Sequence, residues 1–170
     1  MDDGHIMGLL ANRLAKPEVV AALDRTAEEL LAELKSDVAD GKSTFRSLPL
    51  GLYGGLPPEI GSAWAFALRK GFAHPPERHP NSIQRMFAWG TSGEFEVWDG
   101  GQWRRQQLHP GGVGLSIPAD SWHRAPALDE DWVVASFHTV GPNDLIEIVG
   151  DPASGEVGST RAYLGADPTA

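Results

Sequence analysis

With 170 residues, 41% of them hydrophobic and 22% charged, the chain has the size and composition of one globular domain with its own core. The lack of cysteine excludes disulfides, zinc–thiolate sites and thiol nucleophiles, so any metal falls to His, carboxylate, amide or water. A net charge of −9 argues against a nucleic-acid partner, no run reaches the ~18 apolar residues of a membrane span, and the acidic opening Met1-Asp2-Asp3-Gly4 lacks a secretion signal's basic start, so a cytoplasmic protein is expected.

Residues 5–40 read as helical. Pro17 suits a first helical position, and Val20, Leu23, Ala27, Leu30, Leu31, Leu34 and Val38 recur at three- and four-residue spacing. Glu28, Glu29, Glu33 and Asp37 fill much of the remainder, which leaves one apolar stripe and one wet face before Asp40-Gly41 closes the segment. Such a stripe is expected to pack on the rest of the domain or on a second subunit.

From Leu48 the period changes. Gly and Pro punctuate short runs rich in aromatic and β-branched residues at 62–70, 83–89, 93–98, 102–108, 113–117, 122–125, 132–140 and 145–149. In the first, Trp64, Phe66 and Leu68 alternate with Ala63, Ala65 and Ala67, and Asp99-Gly100-Gly101 is a hairpin turn. The expected plan is a helical segment over 1–44, an all-β barrel over 45–150 and an irregular tail over 151–170, where large apolar residues are scarce.

Two stretches hold side chains able to bind a metal: Glu77-Arg78-His79-Pro80-Asn81-Ser82-Ile83-Gln84, and Ile117-Pro118-Ala119-Asp120-Ser121-Trp122-His123. Glu77 and His79 leave the same face of an extended segment. Pro80-Asn81-Ser82 is turn chemistry, so the chain can reverse and bring Gln84 alongside, on one face with Met86 and Ala88 and opposite Ile83, Arg85, Phe87 and Trp89. His123 follows a second turn. Glu77, His79, Gln84 and His123 are thus a candidate shell of three or four ligands.

These residues carry a family resemblance. The stretch 62–140 resembles the cupin superfamily, jelly-roll barrels whose two motifs read roughly G-x5-H-x-H-x3-4-E-x6-G and G-x5-P-x-G-x2-H-x3-N. Glu77 falls on the first histidine, His79 on the second, Gln84 on the glutamate and His123 on the last histidine. Gly90 comes one residue early and Gly93 two late for the first motif's final glycine. Pro118 stands in the second motif, but Asp120 or Ser121 replaces its glycine and the asparagine is absent. The resemblance implies an all-β jelly roll with an N-terminal helical segment, and a divalent metal.

The Glu77 and Gln84 exchanges leave one carboxylate among the aligned ligands, as in the usual set of three histidines and a glutamate. Two histidines and one carboxylate are the facial triad of non-haem iron, so Fe(II) is favoured over Mn, Ni, Co or Zn, with Gln84 a weak fourth ligand or hydrogen-bond donor.

His138 shares strand parity with Trp132, Val134 and Ser136 and is a candidate catalytic acid, base or extra ligand, or else a satisfied core histidine. His74, before Pro75-Pro76, reads as loop. Trp64, Phe66, Met86 and Trp122 are candidate substrate-contacting walls. Arg69, Arg85 and Arg124 lie near the site strands as candidate carboxylate anchors, Arg85 on the outward parity. The expected function is a metal-dependent enzyme on a small organic substrate, with dioxygenase-like iron chemistry first and a non-redox lyase, isomerase or cyclase second. A non-catalytic ligand-binding or sensing barrel is the alternative. A homodimer is expected from the amphipathic helix and the apolar strand around Trp64 and Phe66.

Overall fold

The structure, a computed structural model, describes residues 1–35 and 42–163; the proposed helix end at Asp40-Gly41, with Asp37 and Val38, lies outside the described residues. The helical segment is two helices, α1 (Asp3–Leu14) and α2 (Pro17–Lys35). Asp2 caps α1 by accepting from the His5 amide. Pro17 has a fixed φ and disfavours helical backbone at the residue before it, which places the break at Ala15-Lys16.

The strands in chain order are β1 (Ser43–Leu48), β2 (Ser62–Leu68), β3 (Glu77–Arg78), β4 (Gln84–Trp89), β5 (Gly93–Asp99) and β6 (Gln102–Leu108). They continue with β7 (Leu115–Ile117), β8 (His123–Arg124), β9 (Trp132–His138), β10 (Ile146–Asp151) and β11 (Glu156–Ala162). One sheet runs β1-β2-β9-β4-β7 and the other β11-β10-β3-β8-β5-β6. The pairings within both are antiparallel. This is the expected two-sheet jelly roll.

Two departures from the sequence reading matter. β1 begins at Ser43, inside the stretch read as helical, and the tail read as irregular contains β11, paired along β10 from Ile146↔Ala162 to Asp151↔Glu156. β11 is exposed along its whole length, so its residues carry no apolar alternation. Its order comes from the β10 ladder.

The first sheet is buried on both faces. Ala63, Ala65 and Ala67 of β2, Phe87 of β4, and Val133, Ala135 and Phe137 of β9 share one core with Leu10, Leu23, Leu30 and Leu34 of the helices. The small alanines let α2 lie close on the sheet, and each fully buried leucine contributes about 2 kcal/mol. The opposite parity faces the other sheet: Phe66 and Leu68, Gln84 and Met86, and Val134 line the space between. Gly93 of β5 is required by this packing, since a Cβ there would lie 2.2 Å from the Trp132 ring. Among the described residues no helix is long and apolar enough to cross a membrane.

The apolar stripe of α2 and the Trp64–Phe66 strand were the arguments for a homodimer. Both are used within the chain: the stripe covers the sheet, and Trp64 is fully buried against Phe45, Phe66 and Tyr163.

Candidate metal centre and cavity

Between the sheets lies a cavity of about 390 Å³. Antiparallel pairing of β3 with β8 sets Glu77 directly opposite His123, and His79 follows two residues after Glu77. One potential ligand atom from each of Glu77, His79 and His123 lies within 4.8 Å of the others, and all three residues are buried. The turn expected after His79 is present, closed by the Ser82 amide donating to the His79 carbonyl. It returns the chain so that Gln84 enters the same cavity.

The two motifs are also tied by backbone. The Asp120 amide donates to the His79 carbonyl at 2.8 Å. Asp120 stands at the glycine of the second motif and keeps a glycine-like φ of +64°. Its carboxylate holds Arg78 at 2.5 Å. Asp120 thus takes a left-handed turn that glycine adopts most freely.

Hydrogen bonding orients both imidazoles. Nδ1 of His79 lies 3.0 Å from the Ile146 carbonyl, and Nδ1 of His123 lies 2.9 Å from the Ser121 carbonyl. A carbonyl only accepts, so each Nδ1 carries the proton and each Nε2 keeps a lone pair for the site. Nε2 of His123 faces Glu77 Oε1 at 3.4 Å, an acceptor opposite an acceptor. Glu77 Oε2, Gln84 Oε1 and His123 Nε2 are all buried without a hydrogen-bond partner. Buried acceptors without partners are a costly arrangement that a bound cation satisfies. The donor set fits a divalent metal.

The charge states agree. Burial opposes ionisation of Glu77, but the imidazoles of His74, His123 and His79 outweigh it and hold the carboxyl well below the usual range. Burial lowers His79 to about 4 against the pull of Glu77. At neutral pH this gives an ionised carboxylate and a neutral imidazole, the forms that bind metal.

Gln84 donates from Nε2 to Ser136 Oγ at 3.2 Å, which leaves its Oε1 as the free end. Phe66 and Met86 line the cavity, whereas Trp64 lies behind Phe66 with its Nε1 donating to Ser62 Oγ. Trp122 turns the other way, beneath the Arg78 guanidinium at 5.0 Å. His138 is fully buried; its Nδ1 meets Ser82 Oγ at 3.2 Å and its Nε2 meets Ser136 Oγ at 3.3 Å. Burial first, then the neighbouring His79 and His123, lowers its pKa well below the ordinary range. Both ring nitrogens are occupied, so His138 is placed as a satisfied core histidine beside the site.

Several lining residues were missed, His74, Glu147, Arg161 and Tyr163 among them. His74 was read as loop, yet its Nδ1 lies 3.7 Å from Glu77 Oε2. Glu147 and Tyr163 enter from β10 and the end of β11, joined by a hydrogen bond from the Tyr163 hydroxyl to Glu147 Oε2. Burial, and then the Glu77 charge, push the Glu147 carboxyl up to about 7. Around Glu147 the usual pattern inverts, with the glutamate buried and the flanking Ile146 and Ile148 partly exposed. That inversion is legible only once the face of β10 is known. Of the candidate anchors, Arg85 pairs outward with Asp3 at 2.8 Å, Arg124 pairs with Glu96 at 2.7 Å, and Arg69 donates to the Leu34 carbonyl at 3.3 Å.

No protein-family model and no curated protein matches the sequence. Among solved structures, the fold is similar to the recombinant pro-11S globulin of pumpkin, with a TM-score of 0.50 and 20% identity over 64% of this chain and 28% of that one. The DMSP lyase DddQ from Ruegeria pomeroyi DSS-3 gives 0.47 and 17%, over 61% of this chain and 50% of that one. Oxalate oxidase in complex with glycolate gives 0.46 and 13%, over 58% and 51%. The chain thus spans about half or less of the length of these proteins. At such identities the likeness is one of fold. The pumpkin globulin likeness supports the expected two-sheet jelly-roll fold.

Proposed function

We propose that the protein is a metal-dependent enzyme acting on a small organic substrate. The observation that carries this is the Glu77–His79–His123 cluster, with both Nδ1 atoms committed to backbone carbonyls and unpartnered acceptors left facing one cavity. A divalent metal held there supplies Lewis acidity and, as iron(II), redox chemistry with dioxygen. The two-histidine, one-carboxylate set supports the oxygen-using reading. Gln84 Oε1 would offer a further ligand, and Phe66, Met86, Phe95 and Val134 give the cavity an apolar wall.

A second reading, a non-redox lyase or isomerase, is supported by the Tyr163–Glu147 pair. A carboxyl and a phenol joined by a hydrogen bond at the cavity wall can hold or pass a proton at a substrate carbon. Glu147 Oε2 and the Tyr163 hydroxyl are the atoms between which that proton would rest. Oxygen uptake separates the readings: turnover by the iron-loaded protein that persists without oxygen favours proton transfer.

His79→Ala and His123→Ala are each expected to reduce metal content of untagged protein to below about a tenth of wild type while the melting transition remains cooperative. Elemental analysis with thermal denaturation checks this. Full metal occupancy in either variant would remove the proposal.

A further inference from the structure

We propose that the cavity takes a short-chain organic carboxylate whose carboxylate group is held by Arg161, which assigns a substrate class to the metal-centred site and rests on that reading. Arg161 is the one lysine or arginine lining the cavity among the described residues. Its guanidinium lies over two rings, 4.8 Å from the centre of Phe45 and 4.5 Å from that of Tyr163. Stacking of this kind holds the guanidinium plane and leaves its edge N–H groups as a fork for a planar two-oxygen acceptor. The rings are themselves fixed, since Trp64 meets Phe45 at 5.8 Å and Tyr163 at 5.3 Å.

An internal carboxylate is within easy reach of Arg161 by register but is engaged elsewhere. Glu147 is the cross-strand neighbour of Arg161, yet its carboxyl accepts from the Tyr163 hydroxyl instead. Several other arginines are paired: Arg46 with Glu29 and Glu33, Arg78 with Asp120, Arg85 with Asp3, Arg105 and Arg124 with Glu96. No carboxylate among the described residues pairs with Arg161. Arg161 is exposed on β11 at the rim of the cavity, and in a chain with 23 acidic and 14 basic residues a lining arginine without an acidic partner points to an acidic ligand.

The rest of the cavity narrows the class. A volume of about 390 Å³ and an apolar middle of Phe66, Met86 and Val134 suit a short carbon chain. One guanidinium balances one negative charge. Its edge offers two N–H groups to a planar two-oxygen acceptor, so a carboxylate is the better match than a phosphate dianion.

Calorimetric titration of the metal-loaded full chain with propanoate, succinate and glutarate, with their neutral amides, and with inorganic phosphate tests this. At least one carboxylate should bind ten or more times tighter than its amide, a factor within the range of a charge-assisted hydrogen-bond pair. Arg161→Gln should remove at least about tenfold of that affinity, and Arg161→Lys should restore part of it, a point charge without the fork. Equal binding of acid and amide, no loss in Arg161→Gln, no carboxylate binding at all, or tighter Arg161-dependent binding of phosphate would each overturn the assignment. Metal content measured on the same samples keeps the two claims apart. Arg161-dependent carboxylate binding by a chain that takes up no metal leaves this inference standing and removes the metal reading. A fully metallated chain indifferent to Arg161 does the reverse.

Discussion

Glu77→Gln is expected to weaken metal binding by on the order of a hundredfold or more, while Gln84→Ala costs about tenfold or less. The alignment of motifs would suggest the opposite, because Gln84 occupies the usual glutamate position. Electrostatics decides it. Glu77 is the carboxylate among the close-set donors Glu77, His79 and His123, and an amide in its place leaves a divalent ion among neutral ligands. Gln84 offers one amide oxygen whose place water can take, and its nitrogen is already bound to Ser136. Glu147, the other carboxylate lining the cavity among the described residues, is held by Tyr163 and is not expected to substitute. The double exchange Glu77→His with Gln84→Glu should recover most of the affinity at unchanged ligand charge. Calorimetry on the three variants measures this. Wild-type affinity in Glu77→Gln would put Glu77 outside the ligand set and take the preference for iron–oxygen chemistry with it.

His138→Ala should show the converse pattern, losing about 3 kcal/mol of stability with metal affinity within a few fold of wild type. The imidazole is fully buried and bridges two hydroxyls, so its removal leaves a cavity and takes one hydrogen-bond partner from each of Ser82 and Ser136. The loss is large against a typical folding free energy of about 5–15 kcal/mol. Chemical denaturation beside a metal titration separates the outcomes. Metal lost with stability unchanged would return His138 to the ligand set, against its placement between the serines.

The contrast between these residues shows what the sequence could and could not disclose. Period-two alternation put Phe66, Gln84 and Met86 on the cavity side and Arg85 and Phe87 under the helices, because both faces of that sheet are buried and each parity carries a signal. Turn chemistry at Pro80-Asn81-Ser82 and before His123 pointed to a cluster of Glu77, His79 and His123, and the β3–β8 pairing sets Glu77 opposite His123. The second half of the cavity was not legible. β11 is exposed along its length and lacks apolar alternation, so Arg161 and Tyr163 looked like tail residues. Glu147 between two isoleucines looks like the wet face of a strand, and the ladder to β3 and β11 turns it inward. His74 reaches Glu77 from an irregular segment anchored by its amide to the Ala125 carbonyl, a contact with no local signature. Trp122 was expected in the pocket because it adjoins His123, but adjacent residues on extended backbone point to opposite sides, and Arg78 covers it outside.

X-ray absorption fine structure at the metal edge, on untagged protein reconstituted with one equivalent of divalent metal, tests the metal centre most directly. Two imidazole ligands are expected, seen through their outer-ring scattering, with the remaining donors oxygen. A reconstituted chain that takes up no metal, or a bound metal without histidine scattering, would contradict this.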